Sequence, residues 1–186
     1  MGKKTVGILV GSLRQGSYCK RVALHLVGLL SGQYDVTLPD IGRLTFYNED
    51  LDAEGLTPQP WLDFRREIRA LDGVVFVTPE YNRSLTPVLK NAMDIASRPY
   101  GQNAWAGKPG AVVSVTPGRL GGFGANQALR QTAAFLNIAV MSQPEVYIAD
   151  AAALTNEDGV TDEGLGRLLR DFAGAYGKWV EQITRP

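Results

Sequence analysis

Three short segments carry side chains whose types and spacing suit chemistry. The first is Gly11-Ser12-Leu13-Arg14-Gln15-Gly16-Ser17-Tyr18, which follows a short apolar run and leads into a helical pattern. At such a junction the free N–H groups and dipole of the helix N-terminus converge on one point and bind a phosphate. Ser12 and Ser17 add hydroxyl donors, and Arg14 can add a bidentate charged contact. The spacing from Gly11 to Gly16 imitates a P-loop. However, Ser17-Tyr18 stands where Lys and Ser/Thr belong, so the lysine and magnesium ligand of a nucleotidase are missing. Leu13 stands where the dinucleotide fingerprint needs glycine. A polar turn with an N-cap serine is the plainer alternative. The second segment is Thr78-Pro79-Glu80-Tyr81-Asn82-Arg83-Ser84. Tyr81 offers an aromatic face and Asn82 both donors and an acceptor, which suits a flat heterocycle with imide and amide edges; Pro and Asn are also common turn residues. The third segment runs from Ser114 through Thr116, Pro117, Gly118, Arg119 and Gly121 to Gly124. Its glycines let a backbone approach a flat ligand closely, or simply make a surface loop.

The elements that must position these segments alternate in kind. Thr5 to Val10, Gly73 to Thr78 and Ala111 to Val115 are continuous, β-branched apolar runs, as in strands buried on both faces. Tyr34 to Leu38 predicts a weaker strand, and Ile138 to Met141 a fifth that continues past Pro144 to Ile148. Val22, Leu26, Leu29 and Leu30 recur at helical spacing, and further helices are expected over 61–71, 87–97, 126–136 and 164–183. Residues 39–60, rich in Pro and Gly, read as irregular. Strand–helix alternation means α/β with a parallel sheet. Five strands suit a flavodoxin-like three-layer sandwich of order 2-1-3-4-5, in which ligands bind past the carboxyl ends of the strands near the switch between strands 1 and 3. The three segments follow strands 1, 3 and 4, so their joint placement carries more weight than any one of them.

Taken together, the Gly11–Ser17 segment, Pro79-Glu80-Tyr81-Asn82, and Leu89-Lys90-Asn91-Ala92-Met93-Asp94 resemble the NADPH-dependent FMN reductase family, in its bacterial chromate and quinone reductase branch. The likeness runs in order from about Thr5 to Glu145. It implies bound FMN, NADPH or NADH as co-substrate, and a homodimer or homotetramer. By motif position Ser12, Arg14, Ser17 and Tyr18 hold the FMN phosphate. Pro79, Glu80, Tyr81 and Asn82 line the isoalloxazine, and Ser114, Thr116 and Gly118 approach its other edge. Gly11, Gly16, Cys19, Pro117, Arg119 and Gly121 complete the expected cofactor-binding set. The chain departs from the family pattern at Cys19, where Asn is common. It also departs at Arg83-Ser84-Leu85-Thr86-Pro87, where the acceptor pocket is expected. Gly124 and Gln127 stand where related tetramers place Arg and Tyr in an interface network, although Glu145 is retained.

The 186 residues fit one compact domain. Formal net charge is zero, so neither nucleic acid nor an anionic membrane is an expected partner. The single cysteine excludes an intrachain disulfide and suits a reducing compartment. No apolar stretch approaches the roughly 20 residues of a membrane span, and the short run Val6 to Val10 reads as a buried strand, not a signal peptide. A cytoplasmic location is expected. Cys19 lies beside a helix N-terminus, but with no histidine in its motif it reads as inert. His25, the only histidine, reads as solvated. Asp35, Asp40, Glu49, Asp50, Asp52 and Glu54 read as a solvated acidic rim. Trp61, Trp105 and Trp179 read as packing residues, with Trp105 near enough to the third segment to line its pocket.

Three classes of function follow. In an oxidoreductase the flavin does the chemistry and the protein supplies position and electrostatics, so no catalytic side chain is required. The electron acceptor is then a small molecule: a quinone, free flavin, chromate or an azo compound. In a flavodoxin-like carrier single electrons pass to protein partners, and an acidic surface is typical, which this neutral chain lacks. In a regulatory module a nucleotide is sensed without turnover. Steady NAD(P)H oxidation separates the first class from the others.

Overall fold

The computed structural model describes residues 2–185. Six strands form the main sheet. β1 (Thr5–Val10), β3 (Gly73–Thr78) and β4 (Pro109–Val115) make its centre, and β2 (Asp35–Thr37) flanks β1, in the order β2-β1-β3-β4-β5, all parallel. Consecutive residues of the central strands face opposite sides. Val6, Ile8, Val75, Val77, Ala111 and Val113 pack with Leu26 of α1 (Tyr18–Leu30) and Phe172 and Tyr176 of α6 (Glu163–Ile183). Leu9, Val74, Phe76 and Val112 pack with α2 (Gln59–Ala70), α3 (Pro87–Ala96) and α4 (Phe123–Phe135) through Phe64, Met93 and Leu129. Hence the strands read as unbroken apolar runs. The flavodoxin-like sandwich is the fold.

The fifth strand is split. β5 (Ala139–Val140) pairs with Pro109 and Gly110, and β6 (Val146–Ile148) pairs with Val113–Val115 farther along β4. Pro144 has no N–H to give to a ladder, so continuous pairing fails across it. Helix α4 starts three residues before the expected Asn126, on Gly122 in the left-handed region. A four-residue helix α5 (Ala151–Leu154) and a hairpin of β7 (Thr155–Asn156) and β8 (Gly159–Val160) fold a segment without apolar periodicity. The Arg21 guanidinium of α1 donates to the Thr155 carbonyl and hydroxyl and holds this hairpin against α1.

Residues 39–60 are irregular but anchored. Arg65, buried on α2, makes two 2.8 Å bonds to the Asp52 carboxylate and a third to the Ile95 carbonyl. Asp52, with its side chain 5% exposed, is therefore no part of a solvated rim. Trp105 is fully buried, and its indole N–H donates to the Met93 carbonyl at 2.9 Å, so it does not line the pocket near the third segment.

Candidate active site

The three segments meet at the carboxyl ends of β1, β3 and β4 around a cavity of about 360 Å³. Ser12, Arg14, Ser17, Tyr18 and Cys19 line it from the first loop, Pro79, Glu80 and Tyr81 from the second, and Val115, Thr116 and Pro117 from the third. Ser17 is the N-cap of α1, and its hydroxyl oxygen accepts from the Lys20 N–H at 3.2 Å. Its own proton stays free for a ligand. Among the described residues the Tyr18 and Cys19 amides have no acceptor, as expected for a helix's first turn. The Arg14 and Arg21 guanidinium carbons lie 5.1 and 5.2 Å from the Tyr18 ring centroid. Two cations, two free amides and a dipole thus surround one end of the cavity, which suits a dianion.

At the other end the second loop turns sharply. Asn82 and Arg83 both take positive φ, 51° and 68°, and Tyr81 and Ser84 exchange two 3.0 Å backbone bonds across them. This is the geometry of a tight hairpin turn that glycine usually serves, and it leaves Tyr81 half exposed as a flat wall. One Glu80 oxygen accepts from the Ala125 N–H at 3.0 Å, and the other pairs with Arg83 at 3.2 Å. The Ala125 amide belongs to the first turn of α4, where negative charge is favoured. Glu80 therefore clasps the second loop to the third loop's helix.

The third loop is held from beneath. Ser114 is fully buried; its hydroxyl donates to the Gly121 carbonyl at 2.7 Å and accepts from Asn126 at 3.3 Å. It anchors the loop and does not reach the cavity. Gly121 and Gly122 have φ of 60° and 76°, and added Cβ atoms would meet Tyr147 and Ser114 at 2.8 and 2.9 Å. Packing accounts for these two glycines; Gly118 alone in this stretch faces open space beyond Thr116. Gly16, Asn82, Gly118, Arg119 and Gly121 also lie off the cavity wall, and Gly11 faces the neighbouring compartment lined by Leu13, Phe46 and Thr86. Arg21 is the contributor that sequence reasoning missed. Its place four residues after the N-cap Ser17, on the same helix face, is the signal that could have found it.

Cys19 lines the cavity but is 2% exposed, with its thiol toward the Val115 carbonyl. Burial is the main cause that pushes the thiol up to about 12, so it is not a nucleophile. His25 lines a separate cavity with Leu24, Glu157 and Asp158. Burial first, and then the Arg170 charge, lower its pKa and keep it neutral.

A family model for NADPH-dependent FMN reductases matches residues 4–153. The chain belongs to the NADPH-dependent FMN reductase family. A quinone reductase of Pseudomonas putida is 48% identical over 177 residues, covering 95% of each chain. A 2-hydroxy-1,4-benzoquinone reductase of a Burkholderia species is 39% identical, covering 94% of this chain and 95% of that one. Among solved structures, FerB of Paracoccus denitrificans, a flavoenzyme NAD(P)H:(acceptor) oxidoreductase, superposes with a TM-score of 0.90 at 40% identity, over 96% of this chain and 98% of that one. The protein is an oxidoreductase enzyme, with FMN as cofactor and NAD(P)H as co-substrate. The site fits that cofactor: orphaned helix amides and paired arginines for a phosphate monoester, then a half-exposed aromatic wall for a flat ring. Among the described residues no helix is long and apolar enough to cross a membrane.

Proposed function

We propose that this enzyme passes the two electrons of NAD(P)H through bound FMN to a quinone, with free flavin, chromate and azo compounds as further acceptors. The convergence of three loops on one cavity, with cationic and aromatic ends, carries the reading. When bound, FMN accepts a hydride and releases two electrons to an acceptor. The protein's part is placement. Ser12, Ser17, Arg14 and the Tyr18 and Cys19 amides would hold the phosphate, with Arg21 adding charge. Tyr81, Pro79 and Thr116 would bracket the ring, in loops that Glu80 and Ser114 keep fixed. No side chain of the cavity is needed as acid or base. The curated relatives named for quinone reduction support a quinone as acceptor.

The same proposal takes the 186 residues as one FMN-binding domain, cytoplasmic and assembled as a homodimer or homotetramer. Phe135 and Tyr100, 89% and 91% exposed, supply apolar surface for assembly. The test is an absorbance spectrum of the purified protein followed by anaerobic NAD(P)H. Flavin bands that bleach on addition and return with one equivalent of quinone are the expected result. A flavin that NAD(P)H leaves oxidised would favour the electron carrier or the nucleotide sensor.

A further inference from the structure

Beside the first cavity lies a second of about 350 Å³, between the first loop, residues 42–46 and the start of α3. Arg14 and Tyr81 line both, so the two compartments meet at these side chains. The walls of the second are mainly apolar. Leu13 and Phe46 are 60% and 76% exposed and pack on neither core face, which is unusual for two large apolar side chains on opposite walls of one recess.

Two buried polar side chains line this compartment, and their bonding differs. Asn91 is spent: its oxygen accepts from the Tyr47 N–H at 2.8 Å, and its amide donates to the Leu44 and Thr45 carbonyls. It pins the 44–47 wall to α3. Thr86 is not spent. It occupies the N-cap of α3, where a threonine hydroxyl normally takes a helix N–H, yet it makes no cap bond. It is 1% exposed, and its Oγ1 has no hydrogen-bond partner. A buried hydroxyl without a partner is costly, and here it sits on the wall of an apolar recess that opens beside the flavin site.

We infer that this compartment is the acceptor subsite, and that it takes the uncharged ring of a quinone with one carbonyl oxygen accepting a hydrogen bond from Thr86. The inference rests on the proposed function and deepens it by naming which side of the site selects the acceptor. A quinone ring supplies what the recess lacks, a flat apolar body with an acceptor at its edge and no charge. Its opposite edge reaches the Arg14–Tyr81 junction, where the flavin is met. The balance is two electrons and two protons per quinone: NAD(P)H provides a hydride and solvent the second proton, and hydroquinone leaves.

The test uses holoenzyme with two variants, Thr86→Val, which keeps shape and removes the hydroxyl, and Phe46→Ala, at an exposed position that folding does not need. For 1,4-benzoquinone and 1,4-naphthoquinone, each change should raise KM roughly three- to tenfold, the size of one neutral hydrogen bond or a partly buried ring. FMN affinity, the anaerobic rate of flavin reduction by NAD(P)H, and turnover with ferricyanide, an anion that needs only the flavin edge, should stay within about twofold. Unchanged quinone KM in both variants overturns the assignment. Weakened FMN binding would place the flavin in this compartment, and a slower NAD(P)H step the nicotinamide; either overturns it as well. If the unmodified protein's flavin is not reduced by NAD(P)H, the proposed function fails first and this subsite with it.

Discussion

Arg14 and Cys19 stand within one turn of each other at the mouth of α1, and the structure gives them opposite roles. Arg14 keeps its guanidinium on the Tyr18 ring, with no carboxylate partner, and so is free to meet a phosphate. Arg14→Ala should weaken FMN binding by about 1.5–3 kcal/mol, the usual range for a hydrogen bond to a charged group. Fold should be unaffected, and riboflavin, which lacks the phosphate, should bind both forms equally and weakly. Fluorescence titration of apoprotein measures this; equal FMN affinity in variant and parent would move the phosphate to the serines and backbone alone. Cys19 is sealed by burial, and its thiol stays protonated up to about pH 12. The folded protein should resist iodoacetamide at pH 8, whereas denatured protein should be alkylated at once. The sign for stability follows. An unfolded thiol ionises near pH 8.5–9, well below the folded one, so stability is full below that range and declines as pH rises from about 9 toward 12. Cys19→Ala should remove this part of the decline in urea titrations; an identical slope in parent and variant would mean that other groups cause it.

At the scale of elements, the central strands and most helices were legible because burial on both faces leaves unbroken β-branched runs, such as Gly73–Thr78. The loop positions followed from those strands, and with them the residues that converge on the cavity. What the sequence hid was set by contacts between distant segments. Nothing in the local pattern separates Asp52 from its solvated acidic neighbours; only its approach to Arg65 does. Glu80 and Ser114 read as ligand contacts because their loops do, yet each spends its side chain on holding a loop. The β7–β8 hairpin has two-residue strands, too short for any period to show. The Arg65–Asp52 pair also fastens the irregular region that forms one wall of the second compartment. Asp52→Ala leaves a buried guanidinium with one fewer partner and should cost about 3–5 kcal/mol, read as a lower urea midpoint. Because the wall at 44–47 hangs on the same region, quinone KM should rise in this variant before FMN affinity falls. A loss below about 1 kcal/mol would show that the pair is solvated in solution.

For the molecule as a whole, the arrangement of loops bears on the order of events. The flavin's reactive edge can be reached only where the first and second loops leave an opening beside Tyr81, and both substrates need that edge. The loops that frame it do not swing freely. Glu80 ties the second to the first turn of α4, Ser114 ties the third to β4, and the Asn82–Arg83 turn is closed by two backbone bonds. A quinone held in the second compartment still has to present its ring at the junction that the nicotinamide must occupy. One substrate therefore has to leave before the other arrives, and the flavin is alternately loaded and discharged. Initial rates against NAD(P)H at several quinone concentrations should give parallel double-reciprocal lines. High quinone should inhibit competitively against NAD(P)H, because it occupies the same opening in the oxidised enzyme. Stopped-flow reduction by NAD(P)H without acceptor should match the turnover extrapolated from the donor side. Lines that intersect to the left of the axis would mean that donor and acceptor sit on the enzyme together. The loops would then have to part by more than their clasps allow, and Glu80→Ala, which releases one clasp, would leave the pattern unchanged.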